Sequence, residues 1–407
     1  MRLPLPLLPA LCALVSCAPS SAVRLDAPAP LPSPAGPGAG EPRLAAAPDG
    51  GVLMTWLEPV AAGGHALRFA RLAGDVWSEP VTIAAGDSFF VNWADFPALV
   101  ALDDRRLAVS YAWVSGEDTY AYDVMIRTSN DGGASWSAPL RPHSDGTATE
   151  HGFVTLLAED GALRAVWLDG RNFAGPGGHD GHGHGPGPEM TLRTAVIGTD
   201  GALGDETVLD ARVCDCCATA GVVTGGTTLV AYRDRSAEEV RDIWIVRRAG
   251  GAWSDPAPLH PDGWEIPGCP VNGPAMSAGP GGAAVAWFTD ARDTAAVYTA
   301  FADVDGAFGT PVRVDGGSPL GRAGIATLED GSAVVSWLEA AADTAEIRLR
   351  RVTADGRADE PLVLVQTSPR RSSGFPQIVR IGNRLVCAWT APGEPSAVRV
   401  AGVRIRD

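Results

Sequence analysis

Along the chain, short apolar segments alternate with polar turns in a pattern that recurs seven times from Glu41 onward. In each repeat an apolar stretch is followed by a turn of the Asp–Gly type and then by a second apolar segment that ends in an aromatic residue. These second segments end at Trp56, Tyr111, Trp167, Tyr232, Trp287, Trp337 and Trp389, which are 50 to 65 residues apart. Each repeat adds one or two further alternating segments, and alternation with a period of two predicts β-strands.

Four short antiparallel strands at this spacing predict the blades of a β-propeller, because one blade cannot bury both of its faces alone. We therefore expect an all-β protein with a single propeller domain over residues 43–407 and, most simply, seven four-stranded blades. A six-bladed ring with one irregular unit is the alternative. The last unit ends at Asp407 with three clear strands, so a strand from the N-terminal part would complete it.

The N-terminal residues have a different character. Arg2 is the only charged residue before an apolar run that ends at Cys17 and that is too short to span a bilayer as a helix, which predicts a signal peptide over residues 1–17. Residues 14–17 (LVSC) resemble a bacterial lipobox, which implies a lipid on Cys17 and, with Ala18 next, an outer-membrane location facing the periplasm. An ordinary cleaved signal is the alternative. Residues 18–42 are rich in Pro, Ala and Gly and predict a semi-stiff tether.

One turn has a more specific sequence. Residues 129–136 read SNDGGASW and match the Asp-box pattern S-x-D-x-G-x-x-W through Ser129, Asp131, Gly133 and Trp136. Here the chain resembles the sialidase-like, BNR-repeat propellers, in architecture and in this one turn. The turn itself is a folding element: Asp131 is expected to accept backbone N–H groups and Trp136 to pack between strands.

The resemblance implies, as one alternative, an exo-glycosidase that acts on acidic sugars. The early Arg-Ile-Pro motif of sialidases is absent from the sequence, and the nearest string, residues 265–267 (EIP), has no arginine. We therefore transfer no catalytic residue from that family, and whether the protein is an enzyme stays open.

In a propeller the start of the first strand and the end of the second strand of each blade lie at the same end of the ring. This rule brings the unusual residues of units three to five together. Thiolates and imidazoles are ligands of soft and borderline ions. The sequence therefore predicts a copper or zinc site formed by Cys214, Cys216, Cys217, Cys269, His151, His179, His182 and His184. Disulfide bonds are the alternative in an oxidising periplasm, with a connectivity that the sequence leaves open.

The same end of the ring collects Asp and Arg residues after the second strands of units three to five: Asp169 and Arg171, Asp234 and Arg235, Asp290 and Arg292. One interpretation is that each pair ties neighbouring blades together through bidentate ion pairs. The other is that the arginines line a pocket for an anionic ligand.

Charge narrows the range of partners. The chain has 48 acidic and 32 basic residues, a formal net charge of −16 and no lysine. A chain this acidic is a poor partner for a phosphate backbone, so we expect no nucleic acid. The sequence favours a lipid-anchored binding protein of the cell envelope for a metal ion or a small anionic or sugar ligand, with membrane contact through the N-terminal lipid only. A scaffold for another envelope protein is the third alternative.

Overall fold

A computed structural model describes residues 23–175, 187–204 and 206–406 and shows an all-β protein built from seven antiparallel sheets. The predicted signal peptide with Cys17, and the insertion histidines His179, His182 and His184, lie outside the described residues. None of the described helices has the length and apolar character that a membrane crossing requires.

The strands of the first three blades follow the chain in order. Two short strands, β1 (Arg24–Leu25) and β2 (Ala29–Leu31), precede blade 1. Blade 1 contains β3 (Gly40–Ala46), β4 (Val52–Pro59), β5 (His65–Ala73), β6 (Val76–Trp77) and β7 (Val81–Gly86). Blade 2 contains β8 (Ala98–Ala101), β9 (Leu107–Val114) and β10 (Tyr122–Ser129). Blade 3 contains β11 (His151–Glu159), β12 (Ala162–Asp169), β13 (Thr191–Ile197) and β14 (Thr207–Asp210).

The remaining four blades continue the same order. Blade 4 contains β15 (Ala220–Thr224), β16 (Thr227–Arg233), β17 (Ile243–Ala249), β18 (Ala252–Trp253) and β19 (Ala257–Pro258). Blade 5 contains β20 (Ala275–Gly279), β21 (Gly282–Thr289), β22 (Ala296–Ala302) and β23 (Val312–Arg313). Blade 6 contains β24 (Pro319–Thr327), β25 (Ala333–Ala341), β26 (Thr344–Val352) and β27 (Leu362–Thr367), and blade 7 contains β28 (Gln377–Ile381), β29 (Arg384–Ala391) and β30 (Ala397–Arg406). Short 3-10 helices lie at Arg171–Phe173, Ala291–Asp293 and Arg371–Ser373.

The seven blades form the ring that the repeats predict, and the N-terminal segment closes it. Strands β1 and β2 both pair with β30, with Leu25 opposite Ile405 and Leu31 opposite Val400. The expected closing strand is therefore present as two short strands. Within the segment predicted as a tether, residues 18–42, strands β1 and β2 and the start of β3 belong to the propeller. Their Pro- and Ala-rich composition did not show it because the pairing depends on β30 at the other end of the chain.

The aromatic residues that end the second strands form the buried layer between blades. Trp56, Trp167, Trp287 and Trp337 are 0–1% exposed. A fully buried indole N–H needs an acceptor, and here a nearby carboxylate provides it. The Nε1–H groups of Trp56, Trp167 and Trp337 donate to the carboxylates two residues further along, and that of Trp287 donates to Asp262. Burial of the aromatic residue thus fixes acidic residues at one end of the blades.

That end of the ring is called the upper face here. It comprises the starts of β11, β15 and β20 and the ends of β12, β16 and β21, because the first two strands of each blade run antiparallel. The cysteines of units four and five and the Asp/Arg positions after the second strands therefore lie on the upper face.

The Ser129–Trp136 turn follows β10 at the opposite end. Asp131 Oδ1 accepts the Ser135 backbone N–H at 2.9 Å and the Ser129 hydroxyl at 2.8 Å, and the Gly133 N–H donates to Ser129 Oγ at 2.9 Å. Asp131 Oδ2 also accepts the Ser135 hydroxyl. The turn is held by its own side chains and takes no part in the upper face.

Candidate functional site

A tight turn before β15 brings three thiols together. The Cys214 backbone N–H donates to the Arg233 carbonyl oxygen at 3.0 Å, which fixes the start of the turn against the end of β16. The chain then reverses at Asp215 and Cys216. The Cys214 sulfur lies 3.8 Å from the Cys216 sulfur and 3.2 Å from the Cys217 sulfur. Cys214, Cys216 and Cys217 are called the cysteine cluster below.

The closest pair in this cluster has C-x-x-C spacing, since two residues separate Cys214 from Cys217. The metal site predicted from the sequence depends mainly on thiolates two positions apart, Cys214 and Cys216. The structure places Cys217 closer still, because a turn over four residues returns its last residue to the first. The C-x-x-C spacing is the signal in the sequence that could have singled out this pair.

The cysteine cluster is buried, and only one of its thiols favours ionisation. Cys214 is 0%, Cys216 8% and Cys217 2% exposed. Burial opposes ionisation of Cys214, but the Cys216 and Cys217 thiols hydrogen-bond to it and the Arg241 Nη1 atom lies 3.3 Å from its sulfur, so the pKa of Cys214 falls well below its ordinary value. Burial and the neighbouring Cys214 raise the pKa values of Cys216 and Cys217. Of the three thiols, Cys214 therefore ionises most readily.

Cys269, from the segment before β20, adjoins this cluster from blade 5. Its sulfur lies 4.0 Å from Asp215 Oδ1, which in turn lies 3.2 Å from Arg241 Nη1. One donor atom from each of Asp215, Cys216 and Cys269 lies within 4.8 Å of the other two. The structure therefore brings together all four cysteines that the sequence selected, and no disulfide bond joins the cysteines among the described residues.

The second Asp/Arg pair does not form. Arg235 turns away from Asp234 to Glu239, with Nη2 2.7 Å from Oε1, and its side chain is 3% exposed. Asp234 is 7% exposed, and burial together with the nearby Asp210 charge raises its pKa to about 7. A guanidinium that is buried against a carboxylate of its own chain has no open face for a ligand, so Arg235 does not support an anion pocket.

The first pair forms, and it extends across a blade boundary. Arg171 binds Asp169 through two parallel hydrogen bonds of 2.7 Å, from Nε to Oδ1 and from Nη2 to Oδ2. The same Nη2 atom lies 2.7 Å from Glu206 and 3.5 Å from Asp145, which belongs to the connection between blades 2 and 3. This is the interpretation in which an Asp/Arg pair ties blades together.

The third pair is different again. Asp290 is exposed, and Arg292 donates to the Asp262 carbonyl oxygen at 3.4 Å. Arg171, Arg235 and Arg292 thus each turn to a different partner, so the structure does not assemble the predicted arginine pocket.

His151 belongs to a separate cluster, not to the cysteines. It begins β11, and its ring stacks on that of His143 with centroids 3.9 Å apart and planes inclined by 3°. Asp123 of β10, Asp145 and Asp169 surround the two rings. His143 and His151, with these three aspartates, are called the histidine cluster below. The sequence selected only His151 and Asp169 of it.

Each imidazole of the histidine cluster uses its Nδ1 atom locally. His143 Nδ1 lies 3.1 Å from Asp145 Oδ1, and His151 Nδ1 lies 3.1 Å from the Thr149 carbonyl oxygen. Asp123 Oδ1 is 3.8 Å from His143 Nε2 and 3.8 Å from His151 Nδ1. Among the described residues, Asp123 Oδ1 and His143 Nε2 have no hydrogen-bond partner, and His151 Nε2 lies 3.3 Å from Asp145 Oδ1 without hydrogen-bond geometry.

The two rings respond to this environment in opposite directions. Burial and the adjacent His151 lower the pKa of His143 to about 4. Burial also opposes a charge on His151, but contact with Asp145 and the charges of Asp169 and Asp123 raise the pKa of His151. The pair therefore carries at most one proton in excess at neutral pH.

A repeated motif could have indicated the missed residues. Residues 143–146 (HSDG) and 260–263 (HPDG) share the pattern H-x-D-G before the first strands of blades 3 and 5. In both turns the His Nδ1 atom meets the Asp Oδ1 atom, at 3.1 Å for His143 and 2.8 Å for His260. Asp123 has no such signal, because it is one polar residue in an ordinary alternating strand.

Comparison with known proteins bears on the fold. Neither a protein-family model nor a curated protein matches the chain. Among solved structures it is similar to the BP39L lectin from Burkholderia pseudomallei, with 12% identity, a TM-score of 0.61, and coverage of 89% of this chain and 95% of that one. The polysaccharide lyase Uly1 aligns at 10% identity over 90% of both chains, with a TM-score of 0.53. The Trypanosoma rangeli sialidase aligns at 13% identity over 80% of this chain and 56% of its own, with a TM-score of 0.47.

The first two likenesses show that the chain shares the β-propeller fold of these proteins. The expected β-propeller fold is thus confirmed. The fold and the site together define a seven-bladed propeller whose upper face carries a buried thiol cluster.

Proposed function

We propose that the protein is a metal-binding protein that holds one soft ion, copper(I) or zinc, in the cysteine cluster. The observation that supports the proposal is the position of the three buried sulfurs, with Cys216 and Cys217 within 3.8 Å of Cys214. A tetrahedral zinc ion with Zn–S bonds of about 2.3 Å separates its sulfur ligands by about 3.8 Å. Copper(I) also prefers thiolates. The cluster needs little adjustment to surround such an ion.

A disulfide bond explains less of the arrangement. A bond between Cys214 and Cys217 would use two of the three converging sulfurs and leave Cys216 beside it without a role. A metal ion uses all three, and Cys269 or Asp215 lies close enough to Cys216 to supply a fourth ligand. The lowered pKa of Cys214 favours the thiolate form, which is the form that binds a soft metal ion. Metal binding then displaces the protons of the other two thiols.

The other predicted metal ligands have different roles in this proposal. His151 belongs to the histidine cluster, so we leave it out of the soft-metal site. His179, His182 and His184 lie outside the described residues, and we propose them as carriers that deliver the ion. We further propose that Cys17 carries a lipid that anchors the protein to the outer membrane, a proposal that rests on the lipobox alone.

The alternative function is a sialidase-like exo-glycosidase, with a scaffold for an envelope protein as the third. A sialidase needs arginines that face the carboxylate of its substrate. Arg171 and Arg235 instead bind carboxylates of their own chain, so the predicted arginine set does not favour hydrolysis. Release of fluorophore from a fluorogenic sialoside would make the hydrolase the better proposal.

Elemental analysis with thiol counting tests the metal proposal. The protein is exported to a periplasm supplied with copper and zinc and purified without a polyhistidine tag. We expect Cys214→Ser to hold about one equivalent of copper or zinc less per chain than the parent protein. Cys387→Ser is the matched control, because Cys387 is also a buried thiol, at 2% exposure, but lies in β29 of blade 7.

The outcomes separate metal from disulfide. Metal lost in Cys214→Ser and kept in Cys387→Ser, with similar melting temperatures for the two variants after metal removal, supports the proposal. A metal-free protein whose intact mass is lower by two hydrogens contradicts it, because the cysteines then form a disulfide bond.

A further inference from the structure

We infer that the histidine cluster is a second metal site, which binds one divalent ion of borderline hardness, such as Zn²⁺, Co²⁺ or Ni²⁺, through His143, His151 and Asp123. One donor atom from each of these three residues lies within 4.8 Å of the other two. Imidazole and carboxylate groups suit this class of ion, whereas the cysteine cluster suits softer ions. The inference does not depend on the proposed function of the cysteine cluster.

Three buried atoms without partners are the first support. The side chains of Asp123, His143 and His151 are 6%, 1% and 0% exposed. Yet no described group hydrogen-bonds to Asp123 Oδ1, His143 Nε2 or His151 Nε2. Buried polar atoms in folded proteins nearly always have a partner, since an unmade bond leaves the cost of desolvation uncompensated. A cation between Asp123 Oδ1 and His143 Nε2 would satisfy both atoms, and His151 Nε2, now 3.3 Å from Asp145 Oδ1, would reach it once its ring turns.

The orientation of the rings is the second support. With its Nδ1–H on Asp145, His143 keeps a lone pair on Nε2, and with its Nδ1–H on the Thr149 carbonyl oxygen, His151 does the same. An N–H donated to a carboxylate or a carbonyl is the usual outer contact of a metal-bound histidine. The His143 lone pair faces Asp123 Oδ1 at 3.8 Å, and two facing lone pairs repel unless a cation lies between them.

The local charge also favours a cation. Arg141 pairs with Asp123, Arg171 with Asp169, and Arg193 with Glu206. Asp145 contacts both imidazoles, and its nearest guanidinium is the already paired Arg171 at 3.5 Å. With both rings neutral, one negative charge therefore remains in a buried place.

The stacked rings predict how the ion enters. The His143 and His151 rings are parallel, with centroids 3.9 Å apart. Their nitrogen lone pairs lie in the ring planes and therefore do not converge on one point. One ion can bind both only if the rings turn out of the stack, so metal binding and loss of the stack go together. Asp123 and His143, whose donor atoms face each other, are the first ligands, and His151 is the third.

The H-x-D-G turn of residues 260–263 shows that this type of turn forms without a cluster like that around His143. His260 makes the same contact with Asp262, but its side chain is 39% exposed. Among the described residues, no second histidine stacks on it. The turn therefore accounts for a His–Asp contact, and the addition of His151 and Asp123 around His143 needs a different explanation.

A cobalt titration tests the inference. His179, His182 and His184 are first replaced by Gln so that the insertion cannot chelate the metal. Co²⁺ is then titrated calorimetrically into this otherwise intact protein, while the absorption of thiolate-bound cobalt is recorded. Besides the ion that the cysteine cluster binds with thiolate absorption, we expect a second ion whose binding produces none. His143→Gln and Asp123→Asn should each weaken it at least tenfold, whereas His260→Gln, the matched control, should leave it unchanged.

The readouts separate the possible results. Melting temperatures without metal show whether each variant folds, and Asp123→Asn changes neither size nor shape. If His143→Gln and His260→Gln bind Co²⁺ equally, the inference is wrong, and the cluster is a buried pair of imidazoles that shares a proton. Absence of thiolate absorption alone would contradict the cysteine site and leave this one standing.

Discussion

A single buried carboxyl group, Asp234, shows how its neighbours couple pH to stability. Burial and the adjacent Asp210 raise its pKa from 3.8 to about 7. A raised pKa means that the folded protein binds this proton more tightly than the unfolded chain does. Its contribution is therefore fully present below pH 4 and is lost as the pH rises from about 4 to 7.

Replacing Asp234 by Asn tests this coupling. At pH 8 the variant should be more stable than the parent, by a few kcal/mol at most, because each tenfold difference in proton affinity between the folded and unfolded chain is worth about 1.4 kcal/mol. At pH 4 the two should be similar, since Asp234 is then protonated. Urea unfolding at both pH values measures the difference. An equal change at pH 4 and pH 8 would show that packing, not ionisation, controls the effect.

Single residues also show where prediction from the sequence ends. Cys214 and Cys269 could be placed on one face because the order of strands within a blade fixes which ends meet. The ion pairs of this face could not be predicted, because Arg235 binds Glu239 instead of its sequence neighbour Asp234. Asp123 could not be found at all, because only the packing of blade 2 against blade 3 brings it to His151.

Among the elements, the Ser129–Trp136 turn combines a backbone requirement with a packing requirement at Gly133. Its φ is 95°, in the region that favours glycine, and a Cβ atom there would overlap the Phe69 ring. Gly161, in the turn between β11 and β12, has a φ of 78° but nothing within 4 Å of an added Cβ. A side chain at either glycine would therefore have a strained backbone, but only at Gly133 would it also clash with a neighbouring ring.

We expect Gly133→Ala to destabilise the protein more than Gly161→Ala. Both variants incur about 1–2 kcal/mol of left-handed backbone strain, and overpacking against Phe69 adds about 1–3 kcal/mol for Gly133 alone. The free energies of unfolding in urea give the comparison. Equal losses would mean that the Phe69 ring moves aside and that the turn tolerates a side chain.

For the whole molecule, the number of blades was easier to predict than the way in which the ring closes. The spacing of the strand-ending aromatics from Trp56 to Trp389 indicated seven blades, because each blade buries an aromatic residue at the end of its second strand. The segment that closes the ring was harder to predict, since Pro28 and Pro30 interrupt residues 24–31 and the segment gains its structure by pairing with β30. A local hydrophobic pattern predicts a strand that buries a face of its own. It predicts poorly a strand that becomes ordered only by pairing with a distant part of the chain.

Closure of the ring leads to a prediction for the intact fold. Leu25 and Leu31 pack against the hydrophobic core, the Asp26 N–H donates to the Arg404 carbonyl oxygen at 2.9 Å, and the Trp77 indole donates to the Pro32 carbonyl oxygen at 2.8 Å. Deleting residues 1–32 would remove these contacts and leave β30 as an unpaired edge, which promotes association between chains. Deleting residues 1–22 keeps them.

We therefore expect the longer deletion to lower the free energy of unfolding by several kcal/mol relative to the shorter one. The lost backbone hydrogen bonds are worth about 1 kcal/mol each, and the lost burial of Leu25 and Leu31 adds about 1.5–3 kcal/mol each at most. Urea unfolding measures the stability, and light scattering measures the association that an open edge of β30 would cause. If the two deletions unfold at the same urea concentration and remain equally dispersed, residues 24–31 act as the tether that their composition first indicated, and the ring closes without them.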